Sequence, residues 1–232
     1  MTEELIKTTD ECIDNSQYEE AYTKLKKGLE NPENRSGEVY WRMARASKLY
    51  ANTITGDKEK NKAIIYEAFE NIKLGMEKEP ENWQCNKWYA ILLDLTARFE
   101  GIKKRIENSY LVRDHLMKAQ EKNPSDATTL HSLGVWCFEV SDLPWLQKKL
   151  AATFFATPPS STYEEALKHL SEAEKVNPNF YSGNLLYLGK VHHRLKNKEE
   201  AAKYLKQTVE YDGNGADDIA AKSEAAELLK KL

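Results

Sequence analysis

The 232 residues are enough for one large helical domain with a continuous core, and 41% hydrophobic with 31% charged residues excludes a disordered chain. A formal charge of −3 excludes a globally basic nucleic-acid binder but leaves room for a local basic patch. No apolar run reaches the ~18 residues of a membrane-spanning helix, and the opening Met1-Thr2-Glu3-Glu4 carries acids where a signal peptide would carry Lys or Arg. These features predict a cytoplasmic protein with no transmembrane anchor. Cys12, Cys85 and Cys137 lie far apart without CxxC spacing, so they read as free thiols.

In chain order, the apolar spacing predicts an irregular first hairpin over 3–31, within 1–35. Three more follow over 37–79, 82–123 and 127–177, then a last hairpin over 182–211. A closing helix over 217–232 carries a predicted apolar stripe of Ile219, Ala220, Ala226, Leu228 and Leu229. Prolines mark the helix ends. Leu29-Glu30-Asn31-Pro32, Glu77-Lys78-Glu79-Pro80, Glu121-Lys122-Asn123-Pro124 and Lys175-Val176-Asn177-Pro178 recur every 44 to 54 positions. A proline disfavours helix in the residue before it. No strand-like alternation is sustained.

Second helices open alike, at Tyr18-Glu19-Glu20-Ala21, Tyr163-Glu164-Glu165-Ala166 and Lys198-Glu199-Glu200-Ala201. Ser16 with Glu19, Thr162 with Glu165, and Asn197 with Glu200 have the spacing of reciprocal helix caps. First helices share a small-residue register: Leu185-Leu188-Gly189-His192 matches Leu130-Leu133-Gly134-Cys137. From Gly189 to Ala201 is 12 positions, but from Gly134 to Ala166 is 32, so about 20 residues are spliced into one copy. This is a tetratricopeptide-like pattern. The expected fold is all-α, a single 1–232 superhelix of helical hairpins with a C-terminal capping helix, its ends covered because an open end would expose core. Ala90, Gly134, Ala166, Gly189 and Ala201 are the predicted close-packing positions. Two insertions are expected, at 97–110 and 141–161. The second predicts a helix from Leu143 to Ala156, with Pro144 in its first turn and Pro158-Pro159 stopping it.

Catalytic signatures are weak. His192-His193 are adjacent rather than at i, i+4, so they do not form a helical zinc site. His131 and Cys137 are six apart, which matches no nucleophile signature. Gly213-Asn214-Gly215 reads as a turn. The expectation is a non-enzyme with no cofactor and no metal.

Taking Gly134, Gly189, Ala90 and Ala44 as equivalent places Trp41, Arg45, Lys48, Lys87, His131, Phe138, Lys190, His193 and Arg194 along a concave wall, with Asp94 and Glu139 as acidic exceptions. Such a wall can attract an anionic partner; the alternative is a solvated face of mixed charge. Lys103, Lys104, Arg105, Lys148 and Lys149 extend that surface or simply keep the insertions soluble. Trp145 either packs or contacts a ligand.

Several segments resemble the regulator of microtubule dynamics family. They are Trp41-Arg42-Met43-Ala44-Arg45-Ala46-Ser47, Lys87-Trp88-Tyr89-Ala90, Glu100-Gly101-Ile102-Lys103-Lys104-Arg105-Ile106, Gly134-Val135-Trp136-Cys137-Phe138-Glu139-Val140-Ser141, Leu143-Pro144-Trp145-Leu146-Gln147-Lys148-Lys149 and Pro178-Asn179-Phe180-Tyr181-Ser182. The resemblance covers roughly residues 35–230. It implies a cytoplasmic, spindle- and spindle-pole-associated microtubule binder acting in chromosome segregation. It also implies anionic phospholipid as an alternative ligand, because one branch tethers membranes and binds phospholipid through its repeats. That branch's N-terminal membrane segment is not read in this sequence. An acidic peptide is a third ligand class that a basic wall would suit.

Overall fold

A computed structural model describes residues 2–232. Among the described residues it is all-helical, without strands. The chain divides into two compact units, one ending at Lys122 and the other spanning Asn123–Leu232.

The first unit holds α1 (Thr2–Asp14), α2 (Tyr18–Gly28), α3 (Gly37–Thr53), α4 (Lys58–Lys78), α5 (Trp83–Glu100) and α6 (Ile102–Lys122), with a 3-10 turn at Pro32–Asn34. They pack as the pairs α1–α2, α3–α4 and α5–α6, with α3 also touching α1, α2 and α5. Leu25, Val39, Met43, Ala68, Ile72 and Leu92 are fully buried in the shared core. Side-chain caps begin two of these helices: Asp57 accepts from the Lys60 amide, and Asn82 from those of Gln84 and Cys85.

Over the expected insertion at 97–110 the chain is helical on both sides of a single glycine. α5 continues to Glu100 and α6 starts at Ile102, so the extra residues lengthen both helices. The reversal falls on Gly101, whose φ of 96° is open to glycine and strained for other residues. Lys103, Lys104 and Arg105 therefore occupy the first turn of α6, the positive end of its dipole. Neighbouring acids offset that placement: Arg105 reaches Asp94 at 3.1 Å and Lys104 reaches Glu107 at 3.5 Å.

The second unit holds α7 (Ala127–Ser141), α8 (Trp145–Phe154), α9 (Tyr163–Val176), α10 (Ser182–Arg194), α11 (Lys198–Val209) and α12 (Ala216–Leu229). α7 pairs with α9 across the spliced segment, α10 pairs with α11, and α12 lies on both α10 and α11. A Cβ built on Gly134 would stand 2.5 Å from Leu170 Cγ and 3.2 Å from the Leu170 amide nitrogen; on Gly189 it would stand 2.7 Å from Leu205 Cγ and 3.3 Å from the Leu205 amide. The two pairs repeat one contact. Each glycine lies against a leucine four residues past Ala166 or Ala201, and both alanines are fully buried.

Only one of the three expected reciprocal caps forms. The Glu165 amide donates to Thr162 Oγ1 and the Thr162 amide to Glu165 Oε2, both at 3.1 Å. Ser16 and Asn197 do not cap. They sit in tight reversals with left-handed residues at Ser16 (φ 60°) and Lys196 (φ 63°). The Gln17 amide bonds back to Cys12 O and the Asn197 amide to His192 O. This backbone closure finishes the preceding helix. It also delivers the next cap residue at ψ of 59° or 75° rather than the 161° of Thr162. A reciprocal cap needs an extended approach, which of these three helix starts only Thr162 has.

The stripe on the closing helix also differs. Ile219 is 61% exposed, while Ala221 and Ala225 are buried against Leu186 and Leu205, with Leu228 and Leu229 beside them. The helix is held by Ser182 donating to Asp218 at 2.6 Å and by Lys190 pairing with Glu224 at 2.8 Å.

Candidate partner-binding surfaces

In the first unit, α3 carries the predicted cationic register. Trp41 is only 7% exposed. Its indole N–H donates to Glu38 Oε2 at 3.2 Å, and the Arg42 guanidinium covers its ring at 4.1 Å. Trp41 is thus a packed residue, a correction to its expected place on an open wall. Arg42 anchors the cluster. It donates to both Asp10 oxygens at 2.9–3.0 Å and to Glu38 Oε2 at 2.7 Å. Sequence reasoning missed this clasp, although the Glu38–Arg42 half has the i, i+4 spacing of a helical ion pair. Asp10 is 32 positions away and gives no local signal.

One turn on, Arg45 is half-buried and makes no hydrogen bond or ion pair with the described residues. Lys48 is half-buried as well. Lys87 is corrected in the same way as Trp41: it is 8% exposed, with its ammonium 4.5 Å from the centre of the Trp83 ring. Asp94 pairs with Arg98 at 2.8 Å as well as with Arg105. Lys103 is exposed.

In the second unit, the predicted residues meet in an aromatic cluster. Phe138 is buried and packs against Tyr163 and Tyr187, so it does not line an open wall. His131 stands edge-on to Tyr181 and Tyr187, with Nδ1 3.1 Å from Asn184 Oδ1. Lys190 lies over the Phe138 and Tyr187 rings while pairing with Glu224. Arg194 grips both oxygens of Asp142 at 2.6 and 2.9 Å, and Tyr163 donates to the same carboxylate. His193 is half-buried at the end of α10. Lys190 and Arg194 thus hold internal counter-ions, whereas Arg45 holds none among the described residues. On α8, Trp145 is 68% exposed, Lys149 lies 3.9 Å over its ring, and Lys148 is exposed.

Two of these carboxylates titrate with folding. Burial raises the Glu38 carboxyl, but hydrogen bonds from Arg42, Trp41 and Asn82 outweigh it and leave it below the usual range. Asp142 behaves alike: burial is outweighed by Arg194 and Tyr163. A carboxylate depressed in the folded state adds stability above its unfolded pKa of ~4, and that stability is lost as pH falls through the folded value. Burial also holds His115, His169 and His192 below the usual imidazole range, so thermal melts should decline gently as pH falls below about 6.5 and steeply below about 4. A Tm that rises on acidification below about 4 would contradict the two clasps.

Thiol chemistry has little support here. All three cysteines are buried. Burial, with Glu79 and Glu38 nearby, pushes the Cys85 thiol up to about 12, and burial also raises Cys137. The Cys85 and Cys137 thiols therefore stay protonated at neutral pH, and the thiolate is the nucleophile.

The fold is similar over 99% of this chain to a thermophilic tetratricopeptide protein of Thermus thermophilus, with TM-score 0.60, 15% identity and all of that chain covered. It is similar at TM-score 0.56 and 15% identity to PilF of Pseudomonas aeruginosa, covering 99% of this chain and 84% of that one. These likenesses bear on fold alone. In sequence, regulator of microtubule dynamics protein 1 of Pongo abelii is 41% identical over 227 residues, which is 98% of this chain and 71% of the relative. Its Mus musculus counterpart is 40% identical over 230 residues, 99% and 74% of the two chains. Regulator of microtubule dynamics protein 3 of Xenopus laevis is 34% identical over 192 residues, 83% and 41%. With the model of regulator of microtubule dynamics proteins 1-3 matching residues 5–232, and with relatives of that name aligned along nearly its whole length, this chain belongs to that family.

Proposed function

We propose that this chain is a non-enzymatic microtubule-associated repeat protein that serves spindle organisation and chromosome segregation in the cytoplasm. The observation that carries this reading is the family match over residues 5–232. Stacked helical hairpins suit it, because such arrays present extended side-chain surfaces for partners. The acidic tails of tubulin are the proposed target. Arg45 is the best-placed contact, since it holds no counter-ion among the described residues. Lys190 and Arg194 would first have to exchange Glu224 and Asp142 for a partner's carboxylate.

Co-sedimentation of the purified chain with microtubules over a salt series tests the reading. Screening over ~8 Å at physiological ionic strength predicts strong pelleting at low salt that weakens as salt rises. Arg45→Glu should weaken binding several-fold with an unchanged melt, as a surface charge reversal alters attraction more than folding. Lys87→Glu is not a fair companion, because it would place a carboxylate in a buried position. No pelleting at low salt would sink direct binding. In dividing cells the tagged chain is expected on the spindle and its poles.

A further inference from the structure

Of the 7 prolines in the chain, only one follows a hydroxyl residue: Pro158 follows Thr157. The others follow Asn, Glu, Leu or Pro. Thr157 lies between α8 and α9, in the run from Phe155 to Thr162. That run is the longest stretch free of helix and 3-10 turn among the described residues. The two prolines keep it so. A proline disfavours helix in the residue before it, so Pro158 and Pro159 hold Thr157 and Pro158 out of both flanking helices. Ala156 and Thr157 are exposed, and Pro158 is half-buried.

Other hydroxyls with suggestive neighbours are placed differently. Arg42-Met43-Ala44-Arg45-Ala46-Ser47 puts two arginines ahead of a serine, as kinases that select basic residues require, but Ser47 is fully buried inside α3. Ser161 donates to Glu165 Oε2 at 2.6 Å and Thr162 caps α9. A phosphate on either would stand beside Glu164 and Glu165, where like charges repel. Thr157 has no such neighbours in sequence. From Leu143 to Tyr163 there are two lysines, Lys148 and Lys149, and no Asp or Glu.

We propose that Thr157 is a phosphorylation site for a proline-directed protein kinase. A kinase whose pocket after the acceptor residue is apolar selects proline there, because any other residue would bury an unpaired N–H. Thr157 Oγ attacks the γ-phosphorus of ATP, and the bond from that phosphorus to the β,γ-bridging oxygen breaks. ADP departs, and the hydroxyl proton passes to the catalytic aspartate of the kinase. The phosphate brings a charge of about −2 at pH 7, which cancels Lys148 and Lys149 and takes the segment from Leu143 to Tyr163 to about zero. The spliced segment is thereby a charge switch that leaves the packed helices in place. The inference uses this segment alone and stands whether or not the chain binds microtubules.

The test incubates the folded full chain and ATP with two proline-directed kinases in turn, one cyclin-dependent and one mitogen-activated. Intact mass should show one added phosphate per chain with at least one of them, and peptide fragmentation should place it on Thr157. Thr157→Ala and Pro158→Ala should each lower incorporation at least about tenfold. Ser160→Ala, an exposed hydroxyl in the same run that no proline follows, should be labelled like the parent. Thr157 is exposed and outside the helices, so circular dichroism melts of Thr157→Ala and of the phosphorylated chain should match the parent's. Tagged chain recovered from growing cells with phosphatases blocked should carry the same phosphate. No incorporation with either kinase, labelling that survives Thr157→Ala, or labelling only after heat unfolding would overturn the proposal.

Discussion

Replacing Leu170 with alanine is expected to destabilise the second unit by about 2–5 kcal/mol, the range for truncating a fully buried leucine. Leu170 is completely buried and fills the notch left by Gly134. The converse change, Gly134→Leu, overfills that notch and should cost about 1–3 kcal/mol or more. Gly134→Ala separates two effects. In a helix interior alanine is favoured over glycine by about 1 kcal/mol. Here its Cβ would press on Leu170 Cγ at 2.5 Å and on backbone at 3.2 Å, which does not swing aside. We expect the clash to win, and combining Gly134→Ala with Leu170→Ala to recover about 0.5–3 kcal/mol relative to the sum of the single changes. Urea melts of the four proteins measure that coupling. Additive effects would mean that the two residues do not share the contact.

Arg42→Glu should unfold the first unit's N-terminal helices most readily among surface-reaching changes. The wild-type guanidinium neutralises Asp10 and Glu38 while covering Trp41. Reversal would leave three carboxylates facing one another. Breaking a buried pair typically costs about 3–5 kcal/mol, and because Asp10 and Glu38 can turn toward water we expect roughly 2–3 kcal/mol. Arg42→Met keeps apolar cover over the indole and should cost about half as much, since long basic side chains also pack through their stems. Arg45→Glu, one turn away without a counter-ion, should stay within about 0.5 kcal/mol. The contrast is the informative part. Equal losses at 42 and 45 would show that charge near α3 matters generally and that the clasp does not.

Much of the fold was legible in local patterns. The proline-terminated runs end at α4, α6 and α9 within two residues of where the spacing put them. The register equating Gly134 with Gly189 identifies two positions that meet the same leucine contact. Helix periodicity and proline sterics act over a few residues, so one sequence is enough to read them. Tight reversals were less legible. Ser16 and Asn197 have capping side chains, yet the left-handed turn before each helix aims them elsewhere. The extra residues at 97–110 carry helical propensity, so one glycine converts an apparent insertion into two longer helices.

The surface was the least readable part, for a reason of range. Periodicity identifies which helix face a residue occupies but not what stands opposite. Trp41, Lys87 and Phe138, which the register expects on an open wall, are each covered by neighbours within their own unit. Arg42 finds Asp10 across 32 positions, and Arg194 finds Asp142 across 52. Those partners are chosen by packing geometry, because charge attraction over a few ångströms depends on which helices meet. Family membership, helix order and the small-residue register are therefore written in local chemistry. Which cations stay available to a partner emerges only after the helices pack, and that packing leaves Arg45 and the α8 pair Lys148 and Lys149 open while it occupies Arg42, Lys190 and Arg194.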